Sequence, residues 1–402
     1  MEREVVALLA SVVAVVVLLR FRADLGLTML AASVVLALTG GRTIGWALLE
    51  MGRSFIDKDT LLLLARIVAI IALGDIASQL GYFDRLVTGL RKLIADNRVI
   101  IALMPAFGGL LPMPGGAMLT APMVESSVTS GRVTPEQKFY VNYWFRHVWE
   151  YIWPLYPGVV VGAALIGHRV SDIFVSNWPL TVAAVAAGVF FVLRRLDAGR
   201  NAPAPAEGHA ARRDVALGML PFAVVIAGVL VLKIEVALVV LAVIALLVAY
   251  KRPRPAVVLK SFAHGAECQV VTLILGVAAY NQVLTAAKII DAIPGFFMSL
   301  HMPEIVVICA VPMMLGLITG VTLAFIAVSF PLLMPLMGGS NVNMELVMLA
   351  YASGFVGCLL SPAHLCLVLS RQYFRADLGK SYRLLVPSCL VIMAVAVLLV
   401  LV

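Results

Sequence analysis

Apolar stretches alternate with short polar segments along almost the whole chain. A helix needs about 20 predominantly apolar residues to span the hydrocarbon core of a bilayer. The stretches that approach or meet this length lie at about 4–21, 24–40, 59–80, 171–194, 213–232, 233–250, 264–285 and 381–402. Because they are continuous rather than alternating, they predict transmembrane helices and not the strands of a β-barrel.

Other apolar regions are interrupted near their middle by proline and glycine, namely 97–126, 137–167, 304–337 and 345–373. In 97–126 the arms on either side of Pro112–Gly116 are too short to cross, so the region predicts a re-entrant hairpin. Region 137–167 is broken at Pro154 and Pro157-Gly158 but is long enough to cross once as two half-helices. Such breaks persist at membrane depth only beside protein or a water-filled cavity, which indicates one shared central cavity.

Between the third span and the first hairpin lies an amphipathic segment, Phe83–Ala95. Its apolar residues are spaced as on one face of a helix, and Arg85, Arg91 and Lys92 lie on the opposite face. This pattern predicts a helix lying in the plane of the membrane interface. A matching helix is expected at about 287–300.

The same order of features recurs in the second half of the chain. Pro105 and Pro312 are 207 positions apart, and the same offset relates neighbouring Asp, Ile and Gly pairs. We therefore predict two repeats, 1–195 and 213–402, joined by a polar, Pro-rich linker at 196–212. Each repeat has five crossings, one hairpin, one in-plane helix and one broken helix. Because five is odd, the two repeats are predicted to be inverted relative to each other.

Composition narrows the class of protein further. The chain is 62% hydrophobic and 13% charged, which excludes a soluble enzyme, a nucleic-acid-binding module and a disordered protein. Its net charge of +8, from 30 Lys and Arg against 22 Asp and Glu, is interpreted as a topology signal. Most basic residues, including those of the linker, fall on one side when the crossings alternate. That side is predicted to be cytoplasmic, and both termini of the protein, which is expected in the inner membrane, are predicted to lie outside the cytoplasm.

Two segments carry a more specific resemblance. Leu111–Met118 and Asn142–Tyr151 resemble the domain-of-unknown-function 401 (DUF401) family of integral membrane proteins, and the resemblance covers nearly the whole chain. The layout of the repeats also resembles the ion transporter superfamily of anion transporters. This resemblance implies a homodimer with an elevator-type mechanism. In that mechanism the transport elements, 59–167 and 264–373, move against scaffold helices, 1–55 and 213–262.

Polar residues at the interruptions are the candidates for substrate binding. Half-helix N-termini carry partial positive charge, so the predicted substrate is a small anionic solute of the organic anion or carboxylate class. Arg146 is expected to contact the anion, and backbone N–H groups of the first hairpin tip to hold it. The predicted substrate-binding residues are Pro112, Gly115, Gly116, Ala117, Asn142, Arg146, Thr319, Gly320, Thr322, Ser361 and His364.

Ionisable residues at membrane depth are costly and usually functional. His147 and Glu150, next to Arg146, are predicted to carry a coupling proton, and Asp75 in the third span is a further candidate. Sodium is the alternative coupling ion. No other cofactor is predicted. The sequence shows no Cys/His spacing typical of a metal site, and the five cysteines are interpreted as small buried hydrophobes.

The leading hypothesis is a secondary active transporter, coupled to protons or sodium, and not an enzyme, because no nucleophile or phosphate-binding motif occurs. One alternative keeps the fold and exchanges the substrate for an amphiphilic or lipid-linked phosphate anion. A second alternative is an intramembrane enzyme that uses His147 and Glu150. The expected partners are a small anion, the lipid bilayer and a second copy of the chain, with no nucleic acid.

Overall fold

The computed structural model describes residues 2–21, 23–111, 116–129, 132–199, 208–289 and 302–401. Within these ranges the chain consists of helices, nearly all of them α-helices, and irregular segments, and it contains no strand. In the same ranges, six helical segments are long and apolar enough to cross a membrane: Lys58–Gln79, Val170–Arg195, Gly208–Val231, Pro255–Ala286, Met344–Phe374 and Leu378–Leu401. The prediction of an all-helical, multi-pass membrane protein is confirmed.

The first half of the chain contains ten helices within the described residues. They are α1 (Glu2–Arg20), α2 (Leu25–Thr39), α3 (Ile44–Phe55), α4 (Lys58–Gln79), α5 (Tyr82–Leu93), α6 (Asn97–Gly108), α7 (Ala117–Ser127), α8 (Pro135–Arg146), α9 (Pro157–Leu165) and α10 (Val170–Phe191). The N-cap residues of α2, α3 and α4 are Asp24, Thr43 and Asp57. Each of these side chains accepts a hydrogen bond from a backbone N–H of the first turn and so stabilises the start of its helix.

The second half presents a similar order of elements. They are α11 (Gly208–Ile226) with a π-helical extension (Ala227–Val231), α12 (Val236–Lys251), α13 (Pro255–Gly265), α14 (Cys268–Ala286), α15 (Glu304–Thr319), α16 (Thr322–Leu333), α17 (Met344–Leu360), α18 (Leu365–Phe374) and α19 (Leu378–Leu401). As in the first half, two short packed helices precede an interrupted pair, and a long helix follows. The inversion of one half relative to the other stays a prediction.

The amphipathic helix predicted at Phe83–Ala95 corresponds to α5. Phe83, Leu86 and Leu90 are buried on one face, and Arg91 and Lys92 are exposed on the other. The buried face packs against α11. The expected partner at about 287–300 lies mostly outside the described residues.

Both predicted hairpins consist of two short helices packed against each other, α6 with α7 and α15 with α16. Helices α6 and α7 have 12 and 11 residues, which is too short to span a bilayer. Pro112 and Gly115, two of the predicted tip residues, lie outside the described residues. Gly116 and Ala117, where α7 begins, are described and buried.

The predicted broken helices are both present, but the first break begins earlier than predicted. Helix α8 ends at Arg146, and α9 starts at Pro157, whose missing N–H is tolerated in a first turn. Arg146 is therefore the last residue of α8, and Glu150 lies in the irregular segment that follows it. The second break falls at Ser361–His364, between α17 and α18, as the position of Pro362 predicts.

Side chains from other elements explain why the first helix stops at Arg146. Unwinding leaves backbone carbonyls without helical partners, and lipid cannot supply donors. Thr181 donates to the carbonyl oxygen of Val148 at 2.9 Å, and Asn177 donates to that of Tyr151 at 3.0 Å. The irregular segment is thus held open by hydrogen bonds from α10.

Candidate functional site

The candidate site lies where the two helix breaks meet the two hairpins. Its charged and titratable groups are almost inaccessible to solvent: Arg146 and His147 are each 2% exposed and Glu150 is 7% exposed. Burial of an arginine is costly unless its charge is compensated, so its surroundings define the chemistry of the site.

Arg146 contacts both halves of its own broken helix and the first hairpin. Its Nη1 donates to the hydroxyl of Tyr156 at 3.3 Å and lies 4.0 Å from Oε1 of Glu150. A Cβ added at Gly116 would collide with the guanidinium group, so the plane of the guanidinium lies directly against the start of α7. A cationic side chain and a helix N-terminus, which is also positive, therefore converge at one point.

Each helix break contacts the nearby hairpin through one ring side chain. In the first break, the Tyr156 hydroxyl donates to the carbonyl oxygen of Gly109 at 2.7 Å. In the second, Nδ1 of His364 lies 2.7 Å from the carbonyl oxygen of Gly320. Tyr156 and His364 are 208 positions apart, which is the offset that relates Pro154 to Pro362.

The backbone at Gly320 requires glycine for two reasons. Its φ of +65° lies in the left-handed region, and a Cβ there would meet the backbone of His364 at 2.7 Å. This close approach brings the His364 ring onto the Gly320 carbonyl.

The histidines of the two breaks face each other across the site. Nε2 of His147 lies 3.2 Å from Nε2 of His364, and Nδ1 of His147 lies 2.5 Å from the carbonyl oxygen of Tyr143. Oε1 of Glu150 is 3.7 Å from Nε2 of His147. The buried Cys366 thiol completes a group of three side chains whose ligand atoms lie within 4.8 Å of one another, a set that could hold a metal ion.

Two tyrosines link the breaks reciprocally. The Tyr143 hydroxyl donates to the carbonyl oxygen of Leu359 at 3.0 Å, and the Tyr351 hydroxyl donates to the carbonyl oxygen of Glu150 at 2.7 Å. The two tyrosines are 208 positions apart. The Tyr143 hydroxyl bonds to the C-terminal end of the helix that contains Tyr351, and the Tyr351 hydroxyl bonds to the break that follows the helix that contains Tyr143.

Asn142 is predicted to bind substrate, and its side chain is engaged by three protein partners. Its Nδ2 donates to the carbonyl oxygen of Ala117 and to Oγ of Ser370, both at 3.0 Å. Its Oδ1 accepts from the hydroxyl of Thr120 at 2.7 Å. These bonds tie α7, α8 and α18 together, so the observed geometry gives Asn142 a positioning role beside the site.

The remaining predicted residues of the second half lie at the hairpin turn and the break. The Thr319 hydroxyl donates to the carbonyl oxygen of Leu315 at 2.7 Å, within its own helix. Thr322 packs its methyl group towards Gly158 of α9. Oγ of Ser361 accepts from the N–H of Ala363 at 3.2 Å and so stabilises the break.

Asp75 is grouped with a different set of side chains. Its Oδ2 accepts from the Ser261 hydroxyl at 2.6 Å and from the Gln79 amide at 2.7 Å. These bonds join α4 to α13. None of its hydrogen bonds in the described part of the chain reaches the histidine pair.

Sequence reasoning missed Tyr143, Tyr156, Tyr351 and Cys366. The three tyrosines carried a usable signal, because the 208 offset pairs Tyr143 with Tyr351 and Tyr156 with His364. Cys366 stands two positions after His364 at the second break, a spacing that is not typical of a metal site, so its place beside the histidines follows only from the packing of the breaks.

Comparisons with known proteins were made on sequence and on fold. The family model described as protein of unknown function (DUF401) matches residues 3–402. No curated protein sequence matches the chain. Among solved structures, the crystal structure of the YdaH transporter of Alcanivorax borkumensis, described as having an unusual topology, superposes with a TM-score of 0.62. The two are 15% identical, and the match covers 87% of this chain and 86% of that one, which establishes a similarity of fold.

Proposed function

Because this chain belongs to the DUF401 family and shares its fold with a membrane transporter, we propose that it is a secondary active transporter of a small anionic solute. It is not proposed to be an enzyme. The substrate belongs to the organic anion or carboxylate class, and its transport is coupled to a proton or sodium gradient.

One observation carries this proposal: the guanidinium of Arg146 and the N-terminus of α7 converge on one buried point. An anion gains up to about 2 kcal/mol at a partly buried helix N-terminus. A hydrogen bond to a charged group contributes roughly 1.5–3 kcal/mol. Both contributions are modest, and association itself costs free energy, so binding of the anion is weak enough for a transporter that must release its substrate.

The position of the two breaks supports alternating access. Both hairpins, both breaks and the reciprocal tyrosines converge on one site, as expected if two inverted repeats surround it. In the proposed elevator motion, 59–167 and 264–373 carry the site across the membrane against scaffold elements 1–55 and 213–262. A homodimer of the scaffold would hold the moving parts in the inner membrane.

A second basic feature lies beyond the C-terminal end of α9. A cavity of about 290 Å³ there is lined by Arg66, Arg169 and Lys233, together with Glu235, whose Oε1 lies 2.5 Å from Nε of Arg66. Cations outnumber acids in this group, so the cavity attracts anions.

Uptake by proteoliposomes tests the proposal. Purified protein is reconstituted, and a panel of labelled small carboxylates and phosphates is offered under an imposed pH gradient, an imposed sodium gradient or neither. We expect gradient-driven accumulation of at least one anion, with a loss of about 10- to 100-fold in Arg146→Gln. Arg132→Gln is the matched control, because Arg132 pairs with Asp197 on the surface.

The outcomes separate the alternatives. Accumulation under a sodium gradient alone excludes proton coupling, and accumulation under a pH gradient alone excludes sodium. Transfer of a phospholipid analogue between leaflets, without uptake of water-soluble anions, would support the amphiphile alternative. Chemical conversion of a substrate in detergent would contradict the transporter proposal.

A further inference from the structure

We propose that His147, His364 and Cys366 form a binding site for a thiophilic transition-metal ion of the zinc class. The three side chains come from the two helix breaks, and their ligand atoms lie within 4.8 Å of one another. The proposal concerns metal binding itself and can be tested whether or not the chain transports an anion.

The hydrogen bonds of the two imidazoles determine which nitrogen carries the proton. Nδ1 of His147 contacts the carbonyl oxygen of Tyr143, and Nδ1 of His364 contacts that of Gly320. A carbonyl oxygen only accepts hydrogen bonds, so each Nδ1 must be the donor. In the neutral form of each ring, Nε2 then carries a lone pair.

The two Nε2 lone pairs lie close together, because the Nε2 atoms are 3.2 Å apart. Two acceptors at this separation repel unless both bind the same cation. In a tetrahedral zinc site with Zn–N bonds of 2.0–2.1 Å, two ligating nitrogens are about 3.3 Å apart. The observed separation therefore matches the edge of a tetrahedral metal site.

The surroundings of the rings are those of metal-binding histidines. Such histidines almost always donate their other N–H to a carbonyl or carboxylate, which orients the ring and fixes the tautomer. Here both donate to backbone carbonyls, and the ring of His147 also packs against Tyr143 and Phe355. His147 and His364 are 2% and 9% exposed, so the rings are held in place.

The third ligand and a nearby carboxylate indicate which metal is favoured. Cys366 is 8% exposed and supplies sulfur, and Oε1 of Glu150 lies 3.7 Å from Nε2 of His147. Two imidazoles with one thiolate suit Zn²⁺ or Cu⁺, and the nearby carboxylate favours Zn²⁺. Binding requires the thiolate, so the Cys366 thiol loses its proton when the ion enters.

Charge balance links the metal to Arg146. The Cys366 thiolate and the Glu150 carboxylate together neutralise a divalent ion. Arg146 lies 4.0 Å from the same carboxylate, so a bound ion would share the negative charge of Glu150 and leave the guanidinium more attractive to an anion. This consequence, unlike the metal site, rests on the proposed function. A metal-bound His147 is also not available as a proton carrier, so the predicted coupling role and the ligand role exclude each other.

Metal titration of the purified full-length protein tests the site. The protein is stripped with a chelator in detergent, dialysed and titrated with Zn²⁺ against a chromogenic chelator. We expect one ion per chain in the wild type. Cys366→Ser and His364→Gln each should weaken binding by more than about 100-fold, beyond the loss typical when a group that only orients a ligand is removed. Cys389→Ser and His264→Gln are matched controls, because Cys389 is buried outside the cluster and His264 is exposed.

A spectroscopic measurement on the wild type covers the case in which a variant does not fold. Co²⁺ bound through Cys366 should give a thiolate-to-cobalt charge-transfer band in the near ultraviolet, and Zn²⁺ should abolish it. Equal Zn²⁺ affinity in Cys366→Ser and in Cys389→Ser would overturn the proposal. Absence of the Co²⁺ band in the wild type would overturn it as well.

Discussion

Arg146 has no counterpart in the second half of the chain. The offset of 208 that relates Tyr143 to Tyr351 places Gly354 opposite Arg146. A Cβ added at Gly354 would collide with the ring of Phe325. The two halves therefore share their hydrogen-bonded framework but not their charge, and the proposed anion site is asymmetric.

Some site residues could be predicted from the sequence alone, because an ionisable side chain at membrane depth carries a high free-energy cost and is usually functional. Arg146, His147, Glu150 and His364 are ionisable groups close to breaks at membrane depth, and the structure brings all four together. The contact between two histidines 217 positions apart could not be predicted, because it depends on how the breaks pack. The hydrogen bonds of Asn142 with other protein groups also could not be predicted, because they too depend on how the helices pack.

At Gly116 we predict that the addition of a single methyl group strongly reduces transport. In Gly116→Ala the Cβ collides with the Arg146 guanidinium and displaces it from the start of α7. Uptake by proteoliposomes should fall at least about 10-fold, as for loss of one charge-assisted hydrogen bond. Gly45→Ala is the control, because a Cβ there meets nothing within 4 Å. Uptake at the wild-type level in Gly116→Ala would show that transport does not depend on the contact between Gly116 and the Arg146 guanidinium.

At Gly320 we predict a loss of stability greater than backbone strain alone explains. Left-handed backbone costs a non-glycine residue roughly 1–2 kcal/mol. Gly81 has a φ of +74°, and a Cβ added there meets nothing within 4 Å. The variant Gly81→Ala is therefore the control that shows the effect of backbone strain alone. Gly320→Ala adds a clash with the His364 backbone, so its thermal midpoint in detergent should fall further. Equal midpoints in the two variants would contradict the close approach.

At the scale of elements, hydrophobic length and Pro/Gly positions predict the helices well, but not where α8 ends. Pro154 and Pro157 mark a break without showing that it starts at Arg146. That boundary depends on donors from distant elements, including Thr181, Asn177 and Tyr351. The tip of the first hairpin, at Pro112–Gly115, lies outside the described residues.

We predict that the break in the first half is stabilised by the Tyr351 hydroxyl. Tyr351→Phe keeps the ring but leaves the Glu150 carbonyl without this donor. A buried unsatisfied group costs about 1–3 kcal/mol, so the thermal midpoint should fall and uptake should weaken. Tyr250→Phe is the control, since Tyr250 is 77% exposed. If both variants unfold at the same temperature, the hydrogen bond contributes nothing to stability.

At the scale of the whole molecule, hydropathy alone predicts a multi-pass helical membrane protein. Exposed apolar residues along the long helices, such as Leu238, Leu246 and Leu398, are consistent with lipid contact. The orientation of the protein in the membrane depends on which loops face the cytoplasm. The distribution of basic residues predicts which loops these are.

Labelling of single cysteines tests the topology. Lys233→Cys and Arg132→Cys are introduced separately into a variant without the five native cysteines, since both positions are exposed. A membrane-impermeant maleimide applied to intact cells should label position 233 and not position 132. After permeabilisation both should react. The reverse pattern would place the termini in the cytoplasm.

The central claim is that Arg146 binds the transported anion. An electrical recording on a solid-supported membrane, with proteoliposomes exposed to a sudden anion jump, measures substrate-driven charge movement directly. For at least one small carboxylate or phosphate, we predict a transient current that is retained in Arg132→Gln and lost in Arg146→Gln. A current of unchanged size in folded Arg146→Gln would contradict it.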